Sequence, residues 1–373
     1  MNPDTDRIAR LQLMSVIEGG SGFWTKEIEK HNSAEVLARI KAGDYLMHSP
    51  SATRRSLSTN PEQVTDLITR AGVRVVIPGD SEWPTQLNDL EAPPLGLCLS
   101  GEGDLRSIAL CSLAIVGARA ASDYGARLAS EMALQLGERG WNVISGAAYG
   151  IDAAAHRGSL ASGAQTVAVL ASGVDQLYPA GHEKLFAAIR ANGVLVSEVL
   201  PGVTPTRGRF LVRNRIIAAL TRGTLVVEAA LRSGSLRTAA DALTMNRPVM
   251  AMPGPVSSPT SAGCHRLVMD RKAELVTDLE DVLIHIGPLL ISNSNGSGLA
   301  SAKFISARDD LVDGEQDLLE MFPSRVPISV EKLANLCDLT PNRILALLGL
   351  LATKGFIERN GAGWILTKKG KAA

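Results

Sequence analysis

From about residue 74 onward, short apolar runs rich in β-branched residues alternate with longer stretches of helical periodicity. The runs are Leu113–Val116, Trp141–Ile144, Thr166–Leu170, Val194–Ser197, Thr224–Val227, Pro248–Met252 and Leu275–Thr277. The helical stretches between them are 122–138, 151–161, 181–192, 235–245 and 279–286. Strands that are apolar on both faces belong in a parallel sheet covered by helices on each side. The sequence therefore predicts an α/β fold, an extended Rossmann-like doubly wound parallel sheet.

Smaller units flank this region. Apolar residues near the N-terminus recur at helical spacing, with helix signals at Gly19-Gly20, Asn32/Ser33 and Gly43. Near the C-terminus, three helices and a β-hairpin turning at Asn360–Gly363 have the order of a winged-helix domain. The predicted domains are 1–70 (helical, of the SAM or helix-hairpin-helix type), 71–287 (Rossmann-like), 288–308 (a flexible Ser-, Asn- and Gly-rich linker) and 309–373 (winged helix).

Composition and charge exclude several classes of protein. Lys plus Arg and Asp plus Glu both number 38, which excludes a globally basic surface but allows a local basic patch. The four cysteines have no metal-binding spacing, so we expect reduced thiols and no metal site. The N-terminal residues lack an apolar signal core, and no apolar run approaches the ~18 residues of a membrane span. The sequence predicts a cytoplasmic protein without membrane contact.

Signatures of common nucleotide enzymes are absent from the sequence. G-x-G-x-x-G does not follow the first strand of the parallel sheet, and neither G-x-x-x-x-G-K-[ST] nor G-x-S-x-G occurs. Two Gly-rich loops do follow predicted strands, and glycines there let a backbone approach phosphate closely. The same loops also serve simply as tight strand-to-helix corners. Their candidate ligand-binding residues are Gly117, Arg119, Ser122, Gly146, Tyr149 and Gly150.

The strongest functional signal is a basic segment over residues 199–227, which contains no Asp or Glu. Its arginines are Arg207, Arg209, Arg213, Arg215 and Arg222. Phe210 lies among them, and arginines beside an aromatic ring are typical of a channel for single-stranded nucleic acid. The alternative is a solvated basic loop followed by an ordinary helix. Because Arg213, Asn214 and Arg215 are consecutive on that helix, all three cannot face one ligand.

Other candidates carry weaker signals. Glu228 ends a strand and could orient arginines or accept a proton, although a structural pairing is favoured. Ser233, Gly234 and Ser235 open a helix and could cap it or hold a phosphate. Asp152 and His156 share a helix face, but without a third ligand we expect a cap and a packed or pocket-lining histidine rather than a metal site.

Five motifs in order resemble the DprA/Smf family over roughly residues 75–285. They are Ala114-Ile-Val-Gly-Ala-Arg119-x-x-Ser122-x-Tyr-Gly125, Ser145-Gly146-x-x-x-Gly150-Ile-Asp152-x-x-Ala-His156, Phe210-x-x-Arg213-Asn214-Arg215-Ile-Ile, Val227-Glu228-Ala with Ser233-Gly234-Ser235, and Pro253-Gly254. The flanking helical and winged-helix units fit the family's three-part layout. One departure is Tyr149, which stands where many members have an arginine.

The resemblance implies a non-enzymatic protein, without cofactor, that binds single-stranded DNA. Such a protein protects incoming single strands and loads the RecA recombinase onto them during natural transformation. By motif, Gly117 and Arg119, the loop 146–150 and Arg209 to Arg215 would line the strand path. The family's mode of dimerisation would place a homodimer interface at the late Rossmann-domain helices, Cys264–Ile286.

Two other function classes can be set against this expectation. A nucleotide phosphoribohydrolase of the LOG type shares the fold class, but its P-G-G-x-G-T-x-x-E motif is absent because Pro255 follows Pro253-Gly254. A transcription regulator would read duplex DNA through the winged helix. Residues 309–373 carry nine acidic and eight basic side chains, and such near-neutrality favours a protein contact or an accessory role there.

Overall fold

The structure of the protein is a computed structural model that describes residues 3–287, 318–319, 321–323, 327–337, 339–361 and 363–367. The chain divides into two compact units, Met1–Leu290 and Ile291–Ala373, each with its own hydrophobic core. The predicted linker, 288–308, lies outside the described residues.

A nine-stranded sheet forms the centre of the first unit. Its strands are β1 (Arg74–Val76), β2 (Leu97–Ser100), β3 (Ser112–Val116), β4 (Asn142–Ser145), β5 (Thr166–Leu170), β6 (Val194–Ser197), β7 (Thr224–Val226), β8 (Val249–Ala251) and β9 (Glu274–Leu275). Their order is β1-β2-β6-β5-β4-β3-β7-β8-β9. In this spatial order, all neighbouring strands from β6 through to β9 pair in parallel. At the other end of the sheet, β1 pairs with β2 and β2 pairs with β6 in antiparallel orientation. The seven predicted strands are all present, and the antiparallel edge was not predicted.

Helices cover both faces of this sheet. They are α5 (Leu105–Leu110), α6 (Asp123–Glu138), α7 (Ile151–Ala161), α8 (Glu183–Asn192), α9 (Arg207–Leu220), α10 (Ser235–Thr244), α11 (Ala262–Met269) and α12 (Leu279–Ile286). Along β3, Ala114 and Val116 contribute to the core beneath α5, α9, α10 and α11. Leu113 and Ile115 contribute to the opposite core beneath α6, α7 and α12. Burial on both faces explains why these strands are almost wholly apolar.

The chain reverses direction across the sheet beside β3. Strands β3 to β6 follow one another outward, and α9 then returns the chain to β7 on the other side of β3. Such a switch point opens a crevice at the carboxyl ends of the two strands, where ligands bind in folds of this type. The loops that leave β3 and β7 therefore diverge around one crevice.

The N-terminal helices belong to the same compact unit as the sheet. They are α1 (Pro3–Val16), α2 (Gly22–Ala42), α3 (Pro50–Ser58) and α4 (Pro61–Arg70). Asn32 breaks α2 with a φ of 62° and its side chain caps the second half by accepting from Glu35 N (3.1 Å). Gly43 ends α2 in the left-handed conformation. The helix from Asn32 to Gly43 was predicted and α3 was not, while the status of 1–70 as a separate domain stays a prediction.

The second unit contains two helices and a hairpin among its described residues. These are α13 (Val330–Cys337), α14 (Pro341–Thr353) and the antiparallel strands β10 (Ile357–Asn360) and β11 (Gly363–Leu366). Each of these elements agrees with the sequence prediction. The helix predicted before α13 lies largely outside the described residues, so the winged-helix assignment stays a prediction.

Cysteine chemistry and membrane propensity also follow from the structure. Cys98, Cys111 and Cys264 are free thiols, and burial raises the pKa of Cys98 to about 12 and that of Cys264 to about 11. Within the described ranges, no helix combines the length and apolarity needed to cross a membrane.

Arg247 holds the C-terminal end of α9. Its Nη1 donates to the carbonyls of Ala218 (2.8 Å), Thr221 (2.7 Å) and Ala219, while Nη2 pairs with Asp89 (2.9 Å). The last carbonyls of a helix have no partner within it, and an arginine can supply donors to them. Arg247 therefore satisfies the end of the helix that carries the basic segment.

We predict that Arg247→Met lowers the free energy of unfolding by about 2–3 kcal/mol, because it leaves several carbonyls unsatisfied. Urea denaturation measures this loss. The control is Arg127→Met, which removes an exposed arginine paired within α6 to Glu131 (3.9 Å) and should change stability by less than about 0.5 kcal/mol. Equal effects of the two substitutions would contradict the capping role.

Candidate nucleic-acid interface

A cleft of about 440 Å³ lies at the carboxyl ends of β3 and β7, walled by α9. The loop after β3, the loop after β7 and the first turns of α9 form its walls, as expected at a switch point. The predicted residues on these walls are Gly117, Arg119, Asp152, Phe210, Arg213, Asn214, Ser233, Gly234 and Ser235. Three segments far apart in sequence are thus brought to one site.

Arg213 is buried in the cleft wall and braces the sheet edge. The side chain is only 6% exposed. Its Nη1 donates to the carbonyls of Gly146 (2.9 Å) and Val169, so one guanidinium joins the ends of β4 and β5. A Cβ at position 146 would lie 2.5 Å from Nη2, which explains the glycine there. Burial lowers the pKa of Arg213 to about 10, and the nearby Asp152 carboxylate opposes this effect.

Asp152 supplies the counter-charge rather than a helix cap. Its carboxylate accepts a hydrogen bond from Ala148 N (3.3 Å) in the turn before α7. Burial raises its pKa, and the Arg213 guanidinium acts in the opposite direction. Gly150, the residue that begins α7, has a φ of 77°, a conformation natural to glycine. The loop 146–150 is therefore shaped around the buried pair of Arg213 and Asp152.

Asn214 positions the loop after β7. Its Nδ2 donates to the carbonyl of Gly234 (3.1 Å), which links α9 to the start of α10. The hydroxyls of Ser233 and Ser235 bond to each other (2.7 Å) at the same helix start. The N-terminus of α10 has no side-chain cap. Its partial positive charge therefore faces the cleft.

Glu228 and Ser122 form a structural pair beside the cleft. The Glu228 carboxylate accepts from Ser122 N (3.0 Å), Ser122 Oγ (2.5 Å) and Thr260 Oγ1 (3.3 Å). Ser122 in turn caps α6 by accepting from Gly125 N (3.1 Å). These bonds tie the loop after β3 to the loop after β7. Glu228 thus makes the structural pairing that the sequence favoured, and its partners include no arginine.

Several arginines of the basic segment point away from the cleft. Arg209 forms a two-pronged pair with Glu18 of the α1–α2 connection (2.8 and 3.1 Å), and the pKa of Glu18 is lowered by this hydrogen bonding. Arg215 pairs with Glu198 (2.6 Å). Arg222 lies over the Trp141 ring at the amino ends of the strands. Arg207 is exposed and lies outside the cleft walls.

Two exposed arginines on the cleft walls remain available. Arg119 has its guanidinium over the Phe210 ring, 4.9 Å from the centroid. Arg232 lines the same cleft from the loop between β7 and α10. Within the part of the chain that the structure describes, neither side chain forms a hydrogen bond or an ion pair. Sequence analysis missed Arg232, although its place directly before Ser233-Gly234-Ser235 was a usable signal.

Exposed aromatic side chains lie on neighbouring loops. Tyr149 is 50% exposed, with its ring edge-on to that of His182 at 4.6 Å. Tyr178, in the loop after β5, is 48% exposed and meets the Phe210 ring at 5.6 Å and 63°. Tyr149 was predicted as a site residue, whereas Tyr178 was not. Neither tyrosine belongs to the walls of the cleft itself.

His156 is packed in the core. The sequence alone had left open whether this histidine would be packed or would line a pocket. It is fully buried, and its Nδ1 lies 2.8 Å from Thr166 Oγ1. The Thr166 hydroxyl donates its proton to Val143 O (2.7 Å), so Nδ1 of His156 is the donor and the ring is neutral. Desolvation by burial lowers the pKa of His156 to about 3. The residue lies outside the cleft walls.

We predict that His156 makes the protein less stable as pH falls. The folded-state pKa of about 3 lies below the ordinary value of 6.5, so the unfolded chain binds the extra proton first. Stability from the neutral ring is complete above pH 6.5 and is lost below it, at up to about 1.4 kcal/mol per pH unit. Urea unfolding between pH 7 and pH 5 should show a shallower dependence for His156→Asn than for the wild type. If the free energy of unfolding depended equally on pH in both proteins, the assignment of His156 as a buried neutral ring would be contradicted.

Comparison with known proteins places this architecture in a family. The family model for DNA recombination-mediator protein A matches residues 74–287, more than half of the chain. A DNA processing protein DprA of Mycobacterium tuberculosis is 38% identical over 351 residues, 91% of this chain and 88% of the relative. Protein Smf of Escherichia coli is 43% identical over 210 residues, 56% of this chain and 55% of that protein.

Solved structures agree with this sequence similarity. The X-ray structure of DNA processing protein A from Streptococcus pneumoniae aligns with a TM-score of 0.63 and 29% identity, covering 75% of this chain and 95% of that one. A DNA processing protein A from Helicobacter pylori aligns with a TM-score of 0.51 and 24% identity over 57% of this chain and 96% of that one, a likeness of fold. The chain therefore belongs to the DNA recombination-mediator protein A family, also named DprA/Smf, whose members are DNA-processing mediators and not enzymes.

Proposed function

We propose that the protein is a recombination mediator that binds single-stranded DNA in the cleft at the carboxyl ends of β3 and β7. The observation that carries the proposal is that Arg119 and Arg232 both line this cleft and, within the described part of the chain, form no hydrogen bond or ion pair. The only acidic side chain on these walls is Asp152, which the buried Arg213 already balances. The cleft is therefore electropositive and suited to phosphate.

The form of nucleic acid follows from the neighbouring aromatic rings. Unpaired bases expose their faces, and proteins bind single strands by combining cationic grooves with aromatic stacking. Phe210 lies on the cleft wall, and Tyr149 and Tyr178 lie on adjacent loops. The structure of the Helicobacter pylori relative is described as one of single-stranded DNA binding. Together these features favour a single strand over a duplex.

The arginines are assigned two different roles. Arg213 is buried with its guanidinium bonded to backbone carbonyls, and Arg215 is paired with Glu198, so their loss should act first on folding. Arg119 and Arg232 are exposed and contact the phosphates directly. Two phosphate contacts in the cleft contribute roughly −1.4 to the log–log salt slope, from about −0.7 per phosphate contact on a single strand.

We predict that the double substitution Arg119→Ala/Arg232→Ala weakens binding of labelled oligo-dT at least 10-fold. It should also make the salt slope shallower by about 1.4, because two phosphate contacts are lost. Fluorescence anisotropy at two salt concentrations measures both quantities. The matched control is Arg70→Ala/Arg127→Ala, which removes the same charge from exposed helical positions (side chains 82% and 67% exposed).

The outcomes of this titration separate the possible binding surfaces. Equal weakening by both double variants would mean that net charge, not the cleft, controls affinity. A preference for duplex that survives the cleft substitutions would assign binding to residues 309–373. Failure of the wild type to bind either form would contradict the proposal altogether.

The partners of the bound strand are part of the proposal. We infer that the protein protects incoming single strands in the cytoplasm and loads RecA onto them during natural transformation, as its membership of the DprA/Smf family suggests. RecA assembly on protein-coated oligo-dT, followed by its DNA-dependent ATP hydrolysis, measures the loading step. An unchanged rate of assembly with and without the protein would contradict the loading role.

A homodimer through Cys264–Ile286 completes the proposal. This segment holds β9, the edge of the sheet, and an apolar groove of about 210 Å³ beside α11. Met269 is 74% exposed and Leu275 is 52% exposed on this edge. Contiguous exposed apolar surface of this kind is suited to burial against a second copy.

We predict that Met269→Glu converts the dimer to a monomer, because it places a charge in the apolar interface. Sedimentation velocity at micromolar concentration measures the change. Leu110→Glu adds the same charge at the end of α5, at a residue that is 50% exposed, and it should leave the dimer intact. A dimer that persists in Met269→Glu would rule out this edge.

A further inference from the structure

Two exposed tyrosines extend the surface beside the cleft. The chain has only four tyrosines, and Tyr149 and Tyr178 are about half exposed on the loops that follow β4 and β5. Exposed aromatic rings on a surface that is poor in aromatic residues call for an explanation in terms of binding. Their position at the carboxyl edge of the sheet places them on the same side as the cleft.

Phe210 does not offer an open face to a base. The guanidinium of Arg119 lies over its ring at 4.9 Å, and that of Arg213 lies 6.0 Å from the same centroid. Tyr178 meets Phe210 at 63° in an edge-on contact. Phe210 is therefore surrounded, and it acts as a support between the arginines and Tyr178. Tyr178 nevertheless remains 48% exposed, so part of its ring surface is open to a ligand.

The loops that carry the two tyrosines are held in place. In the loop after β5, Ser172 Oγ donates to Gln176 O (2.6 Å) and Gly173 N donates to Val203 O (2.8 Å). Near Tyr149, the buried His182 contacts the carbonyl of Ala147 through Nδ1 (3.1 Å). Rings on anchored loops lose little freedom when a ligand stacks on them.

We propose that Tyr178 and Tyr149 form an aromatic ledge on which bases stack as the strand leaves the cleft toward β5 and β4. The inference rests on the proposed single-strand function and names the residues that extend its path. Arg119 and Arg232 bind phosphates in the cleft, Phe210 supports the ledge, and Tyr178 receives the first base beyond it. Stacking on the ledge is tolerant of sequence, since every base has a π-face.

The test combines substitution with abasic scanning. Tyr178→Ala should weaken binding of a 20-nucleotide oligo-dT by about 5- to 150-fold, the range expected for loss of one stacked base. The salt slope should stay unchanged because no charge is removed. Tyr178→Phe retains the ring and should bind like the wild type. Leu110→Ala, at a residue of similar exposure (50%) at the end of α5, controls for loss of surface apolar area.

Abasic sites identify the stacked base directly. Single bases are removed along the oligonucleotide, one position at a time. At one position, the missing base should weaken binding by the wild type. The same missing base should cause no loss of affinity in Tyr178→Ala, because that variant already lacks the stacking ring. If Tyr178→Ala binds as tightly as the wild type and no abasic position weakens wild-type binding in this way, the ledge is overturned while the proposed function stands. Failure of the wild type to bind oligo-dT would overturn both.

Discussion

The buried guanidinium of Arg213 holds together the edge of the sheet from which the site is built. Moving a charged group out of water is costly, and it is tolerated only with good hydrogen bonds and a counter-charge. Two carbonyls, at the ends of β4 and β5, and the Asp152 carboxylate supply them. The space that the guanidinium fills excludes a side chain at Gly146. One ionic interaction thus sets the loop geometry, the glycine requirement and the shape of one cleft wall.

This arrangement changes how the arginine-rich segment is understood. Removing one partner of a buried pair costs about 3–5 kcal/mol, so substitution of Arg213 perturbs the framework before it reports on a ligand. Arg209 and Arg215 are committed to carboxylates at 2.8 and 2.6 Å. The charge available to a ligand therefore comes mainly from Arg119 and Arg232, both of which lie outside the segment. A local count of charges located the correct helix but not the side chains that remain unpaired.

Much of the fold was predictable because its signals are local. The seven parallel strands are apolar on both faces, and the helices between them end at glycine or begin at a capping residue, so periodicity sufficed. The antiparallel strands β1 and β2 were missed because each is short and lies at an edge. Gly117 and Ser233 were each recognisable as candidate ligand-binding residues from their Gly- and Ser-rich loops, and the structure brings both to the same cleft.

The parts of the site that sequence could not supply depend on contacts between distant segments. The pairing of Glu18 with Arg209 spans 191 positions, and no local pattern indicates that the α1–α2 connection neutralises an arginine of α9. Likewise, Tyr178 gains its role only because the loop after β5 meets Phe210. A single residue such as Arg232 produces no periodic pattern in the sequence. Whether its side chain is free to bind a ligand depends on which carboxylates lie near it in the fold, and the described structure places none in contact with it.

The N-terminal helices have a direct electrostatic effect on the site. A side chain at Gly19 or Gly20 would collide with Glu198 or Val212, so this turn packs closely on the pair of Glu198 and Arg215. Glu18 extends from the same connection to Arg209. Both contacts fix α9 while they reduce the positive charge along its N-terminal half. The remaining positive charge is concentrated on the cleft walls, so the proposed binding mode offers few sites for phosphate there. Affinity for a longer strand must then come from contacts that carry no charge, and the exposed rings of Tyr149 and Tyr178 are placed to provide them.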